Sequence, residues 1–240
     1  MWGYRPVKNV KGGRQNNSNF TLSLLSSIFA AVAFFLSWSS TFNCNYVRFS
    51  TIQDTGLSLG FGLWSHSWYA ISLPLNNSYV FQACIGYGST VIDGPMKAAR
   101  VFAIMALVLG GAFFFSSLIG GCTNRTNKRT YTRSEGVAYL FVCLFQGLSL
   151  LLLNSLAVCT NNQLISQLQS DIDSREHVQI DFSDKCSVST GARCCIAAIV
   201  FWFLAALTSC QAASVARKED NEEGGGKENL REPLVPSDLL

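Results

Sequence analysis

Four blocks of this chain are too long and too apolar to end in water. They run over residues 20–38, 101–120, 136–159 and 194–213. A helix needs about 20 such residues to cross the hydrocarbon of a bilayer. Each block outruns a buried strand, and none carries the polar face of a soluble surface helix. In lipid the backbone must satisfy its own hydrogen bonds, so all four blocks are expected to be helices. The fold class that follows is an all-α membrane protein built as a four-transmembrane-helix bundle. All five prolines (Pro6, Pro74, Pro95, Pro233 and Pro236) lie outside the blocks. The first block follows a basic stretch, as a signal peptide would. Its apolar run nevertheless exceeds the usual signal core of about 7–15 residues, and no convincing small-x-small cleavage site follows it.

Composition agrees. Charged residues make up 14% of the 240 residues, against about 25% in a typical soluble domain. That is too little polar material to coat a water-exposed globule of this size. A net charge of +3 gives no basic field for a nucleic-acid partner.

Orientation follows from where the lysines and arginines sit. The arm over residues 1–19 holds Arg5, Lys8, Lys11 and Arg14 without an acid. The linker between the second and third blocks holds Arg125, Lys128, Arg129 and Arg133, and the tail over residues 214–240 holds Arg217, Lys218, Lys227 and Arg231. The two longer loops, residues 39–100 and 160–193, share Arg48, Lys97, Arg100, Arg175, Lys185 and Arg193. Twelve against six predicts that both termini are cytoplasmic and that the two long loops lie outside.

The first outer loop is too long to be a mere connector. Aromatic and β-branched residues over Cys44–Ser50, Ser58–Leu73 and Ser78–Ile85 predict a small β-sheet there. Asn76-Asn77-Ser78 reads as a turn, and as a glycosylation sequon on the outer side. Cys44 and Cys84 are the only cysteines of this loop, while Cys159 and Cys186 bracket the second. In an oxidising compartment such pairs bridge, so disulfides Cys44–Cys84 and Cys159–Cys186 are expected. Cys122 and Cys210, at the inner ends of the second and fourth blocks, are candidates for S-palmitoylation. Ordinary buried small residues explain them almost as well.

Nothing in the chain points to catalysis, a metal or a cofactor. Gly56-Leu57-Ser58-Leu59-Gly60 fits the pattern of a hydrolase nucleophile elbow, but it lies in a strand-rich loop where a glycine turn is the simpler reading. The two histidines, His66 and His177, stand in no zinc-type spacing with cysteine. No ionisable residue lies at mid-span, where a transport path would need one. Gln146 and Asn154 are the most polar span residues, with interhelical hydrogen bonding as their expected role. Ser26, Ala30, Ala106 and Gly110 should let helices approach closely. The second loop is acidic (Asp171, Asp173, Glu176, Asp181, Asp184), a solvated face or a surface for cations. The tail, rich in acids, glycine and proline, reads as disordered.

Trp38 is followed by Gly62-Leu63-Trp64, then by Cys84-Ile85-Gly86-Tyr87 and by Ala98-Ala99-Arg100 at the mouth of the second span. In order and placement these residues resemble the claudin and peripheral myelin protein superfamily of tetraspan proteins. The resemblance covers residues 30–120 by motif and the rest by topology. Cys44 departs from it by preceding Gly62 rather than following Trp64, and the Asp238-Leu239-Leu240 ending differs from the Tyr-Val ending of many claudins. The resemblance implies that Trp38, Gly62, Leu63, Trp64 and Arg100 maintain the junction of loop and bundle. It implies a non-enzymatic role in cell contact, barrier formation or membrane organisation at the plasma membrane. Besides the lipid bilayer, the implied partners are the protein itself, in cis or trans, or a larger membrane protein. The alternative is an auxiliary subunit of a channel, transporter or receptor in the same membrane.

Overall fold

The computed structural model describes residues 15–50, 58–72, 79–87, 92–122, 128–155, 158–159, 166 and 186–228. Its frame is four long helices: α1 (Gln15–Phe42), α2 (Gly94–Cys122), α3 (Lys128–Leu148) and α4 (Thr190–Glu228). Within them the stretches Thr21–Phe42, Gly94–Ile119, Arg133–Asn154 and Thr190–Val215 are long and apolar enough to cross a membrane. The chain is a multi-pass membrane protein with a four-helix bundle. Leu24, Phe35, Val108, Phe115, Phe141, Leu144 and Phe203 are exposed along the helices, as side chains facing lipid should be.

Small residues line the seams. Ala30, Ala33, Ala106, Ala198 and Ala205 are completely buried, which lets the helix backbones approach and gain van der Waals contact. A side chain at Gly110 would run into the Trp202 indole, itself buried and donating from Nε1 to Ser37 Oγ at 3.0 Å. Ser26 shares a 2.7 Å bond with Ser209 and donates to the Ala205 carbonyl. Interhelical bonds of this kind average about 0.6 kcal/mol in a bilayer, so packing carries most of the association.

The span ends differ from expectation for local reasons. Helix α2 begins before residue 101, at Gly94, because Asp93 caps it: Met96 N donates to Asp93 Oδ1 at 3.1 Å. Pro95 sits in that first turn, where its missing N–H costs nothing. Helix α3 does not run to residue 159. It tightens into a 3-10 helix over Ser149–Asn154 and stops at an extended Ser155. The Ser149 hydroxyl donates to the Gln146 carbonyl at 2.7 Å, the kind of side-chain competition that ends a helix. Asn154 is consequently exposed rather than bonded between helices. Helix α4 continues past residue 213 to Glu228, into the stretch expected to be tail. Ala212, Ala213, Ala216, Arg217 and Lys218 are strong helix formers, and extending an existing helix avoids the cost of nucleation.

One end of the bundle carries a five-stranded antiparallel sheet. Its strands are β1 (Val47–Ser50), β2 (Ser58–Phe61), β3 (Ser65–Ser72), β4 (Tyr79–Gly86) and β5 (Ser187–Val188), in the order β4-β3-β2-β1-β5. The run expected as one strand over Ser58–Leu73 is split by a three-residue loop, Gly62-Leu63-Trp64, which Gly62 N closes by donating to Ser65 O at 2.8 Å. The fifth strand comes from the second loop. Val188 pairs with Val47 and Ser187 with Arg48, and the Ser187 hydroxyl donates to the Arg48 carbonyl at 2.6 Å. Both loops therefore build one sheet. Its inner face joins the helix ends in a core of Tyr46, Val47, Phe49, Phe61, Leu63, Met96, Ala99 and Leu152.

Candidate functional site: the junction of sheet and bundle

Gly62 occupies a place that admits no side chain. A Cβ there would strike the backbone of Asn43 and Cys44, where α1 gives way to the sheet. The next residue, Leu63, is completely buried, and Trp64 follows it into the open with 39% of its surface exposed. Arg100, two turns into α2, reaches this loop. Its Nε donates to the Leu63 carbonyl at 2.6 Å, while its guanidinium lies 5.0 Å from the Trp64 ring and 5.3 Å from the Tyr87 ring. The Tyr87 hydroxyl donates to the Gly62 carbonyl at 2.6 Å. The carbonyls of Gly62 and Leu63 are thus both held, and the charge lies by two aromatic faces.

Burial pushes the Tyr87 phenol well above its ordinary range, an effect that Arg100 partly opposes. It stays neutral and keeps its proton for Gly62. His66 is buried beside it, with ring centroids 5.5 Å apart, and burial lowers its pKa from the ordinary 6.5. The imidazole is therefore packed as a neutral ring between Tyr87 and Phe61.

Two disulfides frame the junction. Cys44 and Cys84 are joined with an S–S distance of 1.99 Å, linking the end of α1 to the outermost strand β4. Cys159 and Cys186 are joined at 2.07 Å, closing the second loop just before β5. A third tie is polar. Asp93, whose Oδ1 caps α2, accepts the Ser155 hydroxyl on Oδ2 at 2.7 Å. The start of the second loop is thereby fastened to the end of the first.

The sequence motif is only partly brought together. Gly62, Leu63, Trp64 and Arg100 meet; Trp38 does not join them. It is 53% exposed, with ring contacts to Phe34 and Phe42 of its own helix, as an aromatic anchor at a membrane interface would be. Ser58 of the hydrolase-like pattern lies within strand β2 rather than on a strand-to-helix elbow. Cys210 is exposed near the free end of the bundle, where a side chain on Gly136 would strike its sulfur. The Cys122 side chain, Asn76 and the acidic run Asp171–Asp184 lie outside the described residues.

Tyr46 and Cys195 carried no signal that the sequence alone exposed, whereas Gln146 takes the interhelical bond expected of it. Tyr46 is completely buried, and burial, reinforced by the neighbouring Cys195 thiol, pushes its phenol far up. Gln146 Nε2 reaches Cys195 Sγ at 3.1 Å across α3 and α4. Among the described residues no three of His, Cys, Asp and Glu gather as metal ligands would. No protein-family model matches the chain, and no curated protein matches it.

Proposed function

We propose that the chain is a non-enzymatic, claudin-like tetraspan protein that forms or organises contacts between membranes through its sheet. One observation carries the reading: both long loops build a single sheet, and that sheet is fastened to the helices by Arg100, Tyr87 and Cys44–Cys84. A surface held this way loses little conformational freedom when it meets a partner. Trp64, Ile85 and Val188 stand exposed on it, an apolar set suited to protein contact. The distribution of basic residues supports placing the sheet on the outer side, with both termini in the cytoplasm and Asn76 open to glycosylation, and the resemblance to claudins supports the plasma membrane. Its contact partner is a second copy of the chain, in trans or in the same membrane.

The test is a mixed culture of cells that do not normally adhere, expressing the tagged protein. Enrichment at borders between two expressing cells, abolished by Cys44→Ala, is the expected result. Even spreading over the surface, together with co-purification of one larger membrane protein, would replace this reading with that of an auxiliary subunit.

A further inference from the structure

Lys97 and Arg100 stand about one turn apart at the start of α2, inside the stretch Gly94–Ile119 that is apolar enough to cross a membrane. Lys97 is exposed. From it Val101, Met105 and Val108, all exposed, follow at steps of three and four, so they continue one stripe down the helix. No charge interrupts the chain from Val101 to Ile119. The stripe faces lipid, and Lys97 tops it on the sheet side, at the depth of the headgroups.

A cation at the end of a span ordinarily bends its long stem toward water and keeps no fixed place. Arg100 lacks that freedom. Its Nε is bonded to the Leu63 carbonyl at 2.6 Å, and its guanidinium lies against the Trp64 and Tyr87 rings at 5.0 and 5.3 Å. That bond uses one of the five N–H groups of the guanidinium. The other four, on the two terminal nitrogens, meet no acceptor among the described residues. Neither nitrogen is sealed in the interior. The fork is held still and left open.

Neither cation is balanced by an acid. Asp93, one turn before Lys97, spends Oδ1 on Met96 N and Oδ2 on the Ser155 hydroxyl. Among the described residues no carboxylate pairs with Lys97 or Arg100. Side chains three apart on a helix have Cβ atoms about 5–6 Å apart, so both cations can reach one phosphate. The planar fork of arginine meets two phosphate oxygens at once, and lysine adds a point charge. A choline beside them would be a third cation, so the matching headgroup is one of net negative charge.

We infer that Arg100 and Lys97 hold the phosphate of an anionic phospholipid in the leaflet on the sheet side, with an acyl chain along Val101, Met105 and Val108. Trp64, exposed beside Arg100, lies at headgroup level, where indoles are favoured. The lipid binds at the junction where the sheet is clamped to the helices. This site depends on the bundle lying in a bilayer and not on what the sheet contacts.

The test uses the full-length protein in phosphatidylcholine nanodiscs that carry a small fraction of phosphatidylglycerol with a photoreactive diazirine in one chain. Crosslinks mapped by mass spectrometry should fall on residues 101–108 at several times their level on Phe141 and Leu144, which are exposed on α3. Unlabelled phosphatidylglycerol should compete, and diacylglycerol with the same chains should not. Lys97→Gln, which leaves the Arg100 bond to Leu63 in place, should lower the α2 label several-fold, and Lys97→Arg should restore it. Equal labelling of α2 and α3, or equal competition by diacylglycerol, overturns the site, because an apolar surface alone would then account for the lipid. An unchanged label in Lys97→Gln overturns it as well. Displacement by inorganic phosphate would assign the two cations to a free anion and overturn the lipid reading.

Discussion

Arg100 and Leu63 stand 37 positions apart, yet the guanidinium Nε of one donates to the backbone carbonyl of the other at 2.6 Å. That bond crosses from a span helix to the tightest loop of the sheet. A cation at the mouth of a span has thereby become a structural clamp, with two aromatic faces around it.

Replacing Arg100 should loosen the sheet from the bundle. A hydrogen bond from a charged group, with its aromatic contacts, contributes about 2 kcal/mol. Arg100→Lys keeps the charge but loses the planar fork that bonds and stacks together. Thermal unfolding in detergent should therefore place Arg100→Lys close to Arg100→Ala, with both clearly below the wild type. Recovery of most of the wild-type Tm by lysine would show that charge alone suffices.

Two glycines of the sheet should respond oppositely to one added methyl group. At Gly62 the new Cβ meets the backbone of Asn43 and Cys44, whereas at Gly86 nothing lies within 4 Å. Backbone cannot step aside as a side-chain tip can, so Gly62→Ala should cost about 3 kcal/mol, at the upper end of overpacking penalties. Gly86→Ala should fold and reach the cell surface normally. Surface delivery measured by flow cytometry separates the two.

The Cys44–Cys84 bond closes a loop with a sequence separation of 40. By chain entropy such a closure stabilises by about 4 kcal/mol. Cys44→Ser should lower the Tm strongly under non-reducing conditions, and adding reductant should lower the wild type toward the variant. A wild type insensitive to reductant, tested on partly unfolded protein so that the bond is accessible, would mean the disulfide contributes little.

His66 predicts the direction of acid sensitivity. Its pKa is lowered by burial, so between the ordinary value of 6.5 and the lower folded value the unfolded chain binds the proton first. Stability from this group is complete above pH 6.5 and declines as the pH falls through that window. Tyr87, held neutral by burial, does not titrate there. The Tm of the wild type should drop from pH 7 to pH 5 more steeply than that of His66→Gln. Parallel profiles would remove His66 as the cause.

Much of this architecture was legible because a bilayer is a demanding solvent. Residues 20–38 and 101–120 had to be helices for want of any other way to bond their backbones, and Ala30 and Ala106 had to face inward to let those helices meet. The Cys44–Cys84 pair was legible because the first loop holds no other cysteine, whereas Cys159–Cys186 had Cys194 and Cys195 close by in sequence. Short-range chemistry shifted the margins: Asp93 started α2 early, and Ser149 and Ser155 stopped α3 short. Motif order did not say which of its residues meet: Trp38 packs on Phe34 and Phe42 of its own helix, while Arg100 reaches Leu63 and Trp64.

The sequence by itself determined four spans, the existence of a sheet in the first loop and the cysteines able to brace it, because hydrophobic length and loop membership are properties of single segments. Only the tertiary structure decided that Ser187-Val188 completes that sheet, that Arg100 holds Leu63, and that Tyr46, Gln146 and Cys195 meet. A two-residue strand has no periodicity to read, and a lone arginine, tyrosine or glutamine does not name its partner. Those choices are made when packing brings distant backbone and side-chain groups together and each buried polar atom must find a bond.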